Sequence, residues 1–437
     1  MNGRDALPRC RAHSLYSLDP SPGPSITIKS PNFSTCYNSG KSSLTPRATA
    51  KEFGIQLHSL RVHLERQQLN YKIHIGRDLR RRAGEFLRSA LGESARRVAV
   101  ISNDSVFSLY GADVLRALRR DGLTVSHWLM ADGERFKTFR SLERAVLFLA
   151  ENALERTDAV IALGGGVVGD LGGFAAAVYL RGIALIQMPT TLLAQIDSSV
   201  GGKTGINLPV GKNMSGAFHQ PSSVLIDTQT LTTLPSRELV SGFCEAVKQG
   251  TIANRKLFNQ TVGVLTALRS NRNALVSREM ENMIASQCKF KASVVAADER
   301  ESTTRMDQRS RKVLNFGHTT AHALESTTSY RRFRHGEAVG YGMLVAGHLS
   351  KNLGLLDASE LESLREAVRL CGPLPRANDL NKQKIIAALS HDKKKIAGQI
   401  KWILLEGIGR PVIVSGEDIS PRLLKLSLSE GLRKTKE

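Results

Sequence analysis

The sequence predicts an α/β chain: a parallel sheet with flanking helices first, then a mostly α-helical part. Three observations predict it. Short apolar runs alternate with helical stretches between about residues 97 and 227, the pattern of strands joined by crossover helices. One of these runs, Ala159-Val-Ile-Ala-Leu163, passes directly into glycines. Beyond about residue 230 helical spacing takes over.

The elements follow in order. Tyr71-Lys-Ile-His-Ile75 alternates apolar and polar residues, as a half-buried strand does. Arg97-Val-Ala-Val-Ile101 is a buried strand whose end is marked by Ser102-Asn-Asp104. Residues 139–154 carry helical periodicity, and Ala159–Leu163, Ala184–Met188 and Val224–Asp227 read as further buried strands. Helical spacing then covers 237–270, 277–297, 318–326, 335–352, 359–371 and 382–391. The domain boundaries expected from this are 69–228 and 229–437.

Residues 1–68 differ from the rest. Their first fifty hold nine Ser and six of the chain's fourteen Pro, with Asp5 and Asp19 the only acids. Such a composition cannot bury a core and is expected to be disordered. It has no secretory apolar region. A transit peptide shares its Ser-rich, acid-poor character, but an upstream extension or a misassigned start is the preferred reading.

Composition excludes several classes. At 437 residues and 41% apolar content the chain can build two ordinary cores. No run of about 18 apolar residues offers a membrane span. Cys10, Cys36, Cys244, Cys288 and Cys371 are scattered, with no CxxC, so reduced thiols are expected and not a disulfide framework. The net charge is +21, of which residues 1–68 carry a surplus of five. The remaining cations are dispersed, and aromatics are only 5%. That pattern suits a solvated surface with a local anion site and disfavours nucleic acid.

Chemistry concentrates in three places. Gly164-Gly-Gly-Val-Val-Gly169 is a G-x-G-x-x-G sequence between a strand and a helix, where backbone can approach a pyrophosphate. The acidic residue expected about 20 positions on is absent, since neither Asp nor Glu lies between Asp170 and Asp197. A dinucleotide is therefore expected outside the usual Rossmann mode. Asp197-Ser-Ser-Val-Gly-Gly-Lys-Thr204 and Gly211-Lys-Asn213 read as anion-binding loops. Asp197 stands where a P-loop needs Gly, which disfavours ATP. The helical half carries Glu238, Glu245 and Lys248 on one helical face, His318 and His322 one turn apart, and His335-Gly-Glu337. Two histidines and a carboxylate suit a catalytic divalent metal. Spacing alone pairs His318 with His322, although the Glu of H-E-x-x-H is missing.

Several motifs resemble the 3-dehydroquinate synthase family, within the sugar phosphate cyclase superfamily. They are Gly164–Phe174, Tyr179-Leu-Arg-Gly182, the long run Met188–Asn207, Gly211-Lys-Asn-Met214, Leu314-Asn-Phe-Gly-His-Thr319 and His335-Gly-Glu-Ala-Val339. The resemblance spans about 70–415. It implies an NAD-binding α/β domain, a helical metal-binding domain and a homodimer. It also implies conversion of 3-deoxy-D-arabino-heptulosonate 7-phosphate to 3-dehydroquinate and phosphate. The route is transient oxidation by NAD, phosphate elimination, re-reduction and intramolecular aldol closure. By this resemblance Glu245, His318 and His335 hold Zn or Co, and His322 becomes a substrate-facing catalytic residue in place of a ligand.

The resemblance also implies substrate contacts from Arg181, Asp197, Lys203, Asn213, Lys248, Lys291, Arg311 and Asn315, with Lys394 (or Lys393) of Asp392-Lys-Lys394. It implies NAD contacts from Asp132, Gly133, Glu134, Arg135, Phe136 and Lys137, and from Gly166, Val167, Val168, Gly169 and Asp170. Thr190, Thr191, Lys203, Lys212, Thr230, Leu231, Thr232 and Thr233 complete that set. About six extra residues follow Asp298-Glu-Arg-Glu301, so Arg305 and Arg311 compete for one role; Arg311 is preferred for its spacing to Asn315. Gln249, Ser215 and Thr320-Ala321 depart from the family pattern. The rival readings are another sugar phosphate cyclase, a metal- and NAD-dependent alcohol dehydrogenase and a basic nucleic-acid-binding module. A cytoplasmic location is expected, or a plastid if residues 1–68 are a transit peptide.

Overall fold

The computed structural model describes residues 70–302, 304–393 and 400–433. The expected disordered extension and Lys394 lie outside these residues.

Six strands form one parallel sheet: β1 (Lys72–Gly76), β2 (Arg97–Asn103), β3 (Thr124–Met130), β4 (Ala159–Gly164), β5 (Ala184–Pro189) and β8 (Ser223–Asp227). Their order is β1-β8-β5-β4-β2-β3. The period-2 pattern sorts the side chains. Val98, Val100, Ile161 and Leu225 face helices α1 (Ala83–Leu91) and α2 (Asp104–Arg120). Ala99, Ile101, Val160 and Leu185 face α3 (Phe139–Glu151) and α4 (Gly166–Val178). Both faces are covered, so β4 is buried along its whole length.

The order of strand addition reverses between β2 and β4, since β3 is added on one side and β5 on the other. Ligands of open α/β sheets bind outside the carboxyl ends of strands at such a switch point. Here that point holds Asn103, which caps α2 by accepting from Val106 N at 3.0 Å, and Gly165, which opens α4 without a side-chain cap.

Between β5 and β8 the structure replaces the expected lysine-rich loops with an antiparallel hairpin, β6 (Lys203–Leu208) and β7 (Gly211–Phe218). It packs on α4, where Gly205 and Gly216 let the two strands close on each other. The expected helical run 237–270 is two helices, α5 (Ser236–Ala253) and α6 (Arg255–Ser270). Asn254, with φ near −176°, breaks the run, and its side chain accepts from Leu257 N at 2.9 Å.

The helical part continues with α7 (Arg278–Ala297), α8 (His318–Thr327), α9 (His335–Asn352), α10 (Ala358–Cys371), α11 (Lys382–Lys393) and α12 (Pro421–Gly431). A second hairpin that the periodicity did not predict, β9 (Lys401–Gly407) and β10 (Arg410–Ser415), packs against α9. Among the described cysteines, Cys244, Cys288 and Cys371 are buried free thiols. No described helix is long and apolar enough to cross a membrane.

Helix α9 runs through the middle of this part and is buried on nearly every side. Glycine there is costly to helix propensity, yet backbone contact demands it. A Cβ on Gly336 would lie 1.9 Å from the Ser241 carbonyl oxygen of α5, and one on Gly342 would lie 1.9 Å from the Gly317 carbonyl before α8. These two contacts set how closely α5, α8 and α9 converge.

Gly342→Ala should therefore lower unfolding free energy by at least about 1–3 kcal/mol, the usual cost of overpacking. Denaturant titration of the variant beside the wild-type protein measures this. A change within about 0.5 kcal/mol, typical of surface sites, would show that the contact does not constrain the helices.

Candidate active site

The convergence of α5, α8 and α9 places Glu245, His318 and His335 together, with one ligand atom from each within 4.8 Å of the others. Glu245 Oε1 lies 3.7 Å from His318 Nε2 and 3.5 Å from His335 Nε2. The carboxylate is fully buried, and its Oε1 accepts no hydrogen bond among the described residues. A buried acceptor left without a donor costs about 1–3 kcal/mol unless something else satisfies it. A divalent cation bound there would do so, and the donor set fits zinc or cobalt.

Each imidazole has a polar group facing its outer nitrogen. His318 Nδ1 donates to the Phe316 carbonyl at 3.2 Å, which leaves the Nε2 lone pair for the cluster. Burial, and then the nearby Lys248 ammonium, holds His318 well below its ordinary pKa, so the ring is neutral. His335 Nδ1 lies 3.5 Å from Glu325 Oε2. His322 is exposed beside the cluster, its ring 5.6 Å from that of His318 and 6.2 Å from that of His335. The pairing of His318 with His322 that spacing alone suggests is thus replaced by His318 with His335. Glu238 is no ligand; it holds Arg334, just before His335, at 3.0 Å.

A chain of opposite charges leads away from Glu245. Lys248, nearly fully buried, reaches Glu245 Oε2 at 2.6 Å and Asp197 Oδ2 at 3.4 Å. Burial alone would lower the Lys248 pKa, but the Glu245 and Asp197 carboxylates raise it. Lys291 from α7 binds the Asp197 carboxylate and its carbonyl oxygen. Asp197 sits in a single π-helical turn, 194–198, braced by Gln249 Nε2 donating to the Ile196 carbonyl at 3.0 Å. The departure from the family pattern at Gln249 therefore has a structural role.

Arg311 and Arg305 separate cleanly. Arg311 is buried, with Nη1 on the Glu299 carbonyl at 2.8 Å and Nη2 on the Gly201 carbonyl at 3.1 Å. Arg305 pairs instead with Asp307 at 2.9 Å on the added loop. That loop follows Glu301, which pairs with the half-exposed Lys203. Asn315 is exposed just before the Phe316 turn.

Around the glycine turn, Lys137 is buried and binds both Asp170 and Asn213. Glu134 accepts from Asn207 Nδ2 at 2.8 Å, and Asp132 accepts from Ser105. Gly133 has φ near 108°, and Arg135 lies over the Phe136 ring at 4.7 Å. Gly166, Val167, Val168 and Gly169 form the first turn of α4. Thr190 N donates to Gly164 O at 3.0 Å, and Thr191 Oγ1 accepts from Ala194 N at 3.1 Å. Thr230, Leu231, Thr232 and Thr233 form a 3₁₀ turn at the end of β8. The hydroxyl of Thr230 accepts from Gln195 Nε2 at 3.0 Å, and that of Thr233 meets Tyr110 OH.

Arg181 stands away from the cluster, and Lys212 is paired with a carboxylate beside it. Arg181 is exposed at the far end of α4, roughly 20 Å along that helix from the glycine turn at 1.5 Å per residue. It does not join the cluster within this chain, because α4 carries it back to the amino end of β5, opposite the carboxyl ends where the glycine turn lies. Lys212, expected at the cofactor, reaches Glu325 Oε1 at 3.1 Å and lies over the Tyr330 ring. Hairpin β6–β7, which the sequence reading treated as loops, is what carries it there.

The 3-dehydroquinate synthase N-terminal family model matches residues 127–241, and the C-terminal one matches 242–395. Together they cover more than half of the sequence. The chain belongs to the 3-dehydroquinate synthase family.

Solved structures of related cyclases share its fold. One is 2-epi-5-epi-valiolone synthase from Streptomyces hygroscopicus subsp. jinggangensis 5008, solved with NAD+ and Zn2+ bound. It is 28% identical with a TM-score of 0.72, covering 84% of this chain and 98% of its own. Another is 2-deoxy-scyllo-inosose synthase, complexed with carbaglucose-6-phosphate, NAD+ and Co2+. It is 25% identical with a TM-score of 0.68, covering 82% and 96%. Glycerol dehydrogenase from Schizosaccharomyces pombe shares the fold at 16% identity and a TM-score of 0.59, covering 84% and 91%.

In this family member Asp197 also makes a pH signature. Burial would raise its pKa, but Lys291 and then Lys248 hold it well below the ordinary 3.8. A depressed folded-state pKa gives stability that is fully present above the unfolded value and is lost as pH falls through the folded one. Between pH 5 and 2 the wild-type protein should therefore lose stability more steeply than Asp197→Asn, by up to about 1.4 kcal/mol per pH unit. Parallel stability–pH curves from denaturant unfolding would contradict this.

Proposed function

We propose that the protein is a 3-dehydroquinate synthase. The reaction converts 3-deoxy-D-arabino-heptulosonate 7-phosphate to 3-dehydroquinate and phosphate. The observation that carries the reading is the Glu245–His318–His335 set, with its carboxylate buried, standing beside the Lys248–Asp197–Lys291 chain. Such a site suits an anionic polyol next to a metal.

In this reading Glu245, His318 and His335 hold the divalent metal, which on binding polarises substrate hydroxyl oxygens and lowers the pKa of the one to be oxidised. The residues at the glycine turn, with Thr190, Thr191 and the 230–233 turn, hold NAD, which supplies a reversible hydride acceptor. Lys291 and Arg311 bring positive charge to the substrate carboxylate and phosphate. Lys248 neutralises Glu245 and Asp197 on the substrate side. Asn315, Asn213 and Lys203 orient the polyol, with Glu301 released from Lys203 when the phosphate arrives. His322, exposed beside the ligands, takes and returns a proton at its imidazole. The domain division at about 228/229, a homodimeric state, the absence of a nucleic-acid role and a cytoplasmic or plastid location belong to the same proposal.

A second reading is favoured by the 28% and 25% identity to cyclases that make valiolone- and inosose-type products. The test is phosphate release from the heptulosonate phosphate with NAD and Zn2+, and ultraviolet detection of the product after a dehydratase step. Turnover without net NADH is expected. Turnover of another sugar phosphate and none of this one would establish the second reading, and steady NADH accumulation with an alcohol would point to a dehydrogenase. Glu245→Gln should lower turnover about a thousandfold, since losing a metal's charge stabilisation costs several kcal/mol. Full activity in that variant would end the metal assignment.

A further inference from the structure

Glu325 is absent from every role that the family resemblance implies. It lies on α8, two turns after His318, and is 3% exposed. A carboxylate so buried must be compensated, and two groups do this. Its Oε2 is 3.5 Å from His335 Nδ1, and its Oε1 accepts from Lys212 Nζ at 3.1 Å. His335 thus stands between two carboxylates, with Nε2 toward Glu245 and Nδ1 toward Glu325. His318 has the matching arrangement, with the Phe316 carbonyl on its outer nitrogen.

We propose that Glu325 is a positioning residue of the metal centre: it holds the proton of His335 on Nδ1 and aims Nε2 at the ion, while Lys212 fixes the Glu325 carboxylate from hairpin β6–β7. This rests on the reading of Glu245, His318 and His335 as a metal site. An outer carboxylate on a ligating imidazole fixes the tautomer and ring orientation, and its loss typically weakens metal binding about 10–100-fold. Lys212 is then tied to the metal centre as well as to the hairpin, so the segment beside the glycine turn and the metal share one buried carboxylate.

The test uses the full-length protein stripped of metal and titrated with Co2+, read by its visible absorption and by competition with a chelator of known affinity. Wild-type protein, Glu325→Gln, Glu325→Asp and His335→Ala are compared, each first checked by thermal melting. Glu325→Gln is expected to bind Co2+ about 10–100-fold more weakly with an altered spectrum, and Glu325→Asp to recover part of the loss while melting like the wild type. If Glu325→Gln does not fold, the Glu325→Asp titration decides, with a several-fold loss expected. Unchanged affinity and spectrum in the folded variants would overturn the positioning role. Failure of the wild-type protein to bind Co2+ would instead overturn the metal site itself.

Discussion

One buried carboxylate governs this structure. Glu245 has no access to solvent, and its Oε1 has no hydrogen-bond donor among the described residues. A folded chain tolerates such a group only when the rest of the site answers it. Lys248 answers one oxygen. His318 faces the other with a lone pair and His335 Nε2 lies 3.5 Å from it, an arrangement that suits a cation among the three. The glycines of α9 exist to bring the three helices to that spacing, and they accept a loss of helix propensity for it.

The charges around the cluster are arranged in layers. Glu245, Lys248, Asp197 and Lys291 alternate in sign, so no member is buried alone. A second line runs His335, Glu325, Lys212. A third holds the peptide before His335: Arg237 from α5 grips Glu337 at 2.8 and 2.6 Å, and Glu337 accepts from Arg334 N at 2.7 Å. Helix α5 therefore supplies a ligand, a cation and a brace. Its position relative to α9 is overdetermined, which is what a pre-organised site needs.

Much of this was legible in the sequence. The buried strands announced themselves as apolar runs, because both faces of a parallel sheet are covered. The ligand set came through family resemblance; spacing alone favoured His322, since i, i+4 neighbours share a helix face and nothing local shows that a third helix brings His335 closer. Glu325 could have been found by the rule that linked Glu238 to Glu245, being seven residues beyond His318 on the same face. Hairpin β6–β7 was hidden because its strands are rich in Gly, Lys and Asn, residues that propensity assigns to loops. The pairing of Lys212 with Glu325 was hidden with it. Hairpin β9–β10 did carry a signal, the apolar runs Trp402–Leu405 and Val412–Val414 on either side of Gly407, Gly409 and Pro411, which a search for helical spacing passes over. Arg311 was preferred over Arg305 for its spacing to Asn315; that Arg311 is the buried one is a matter of tertiary contact that spacing does not show.

The most direct measurement is a crystal structure of the protein grown with Zn2+, with anomalous scattering recorded on both sides of the zinc edge. A single strong peak should lie about 2.0–2.2 Å from a Glu245 oxygen, His318 Nε2 and His335 Nε2. A peak at other residues, or none among these three side chains, would contradict the account.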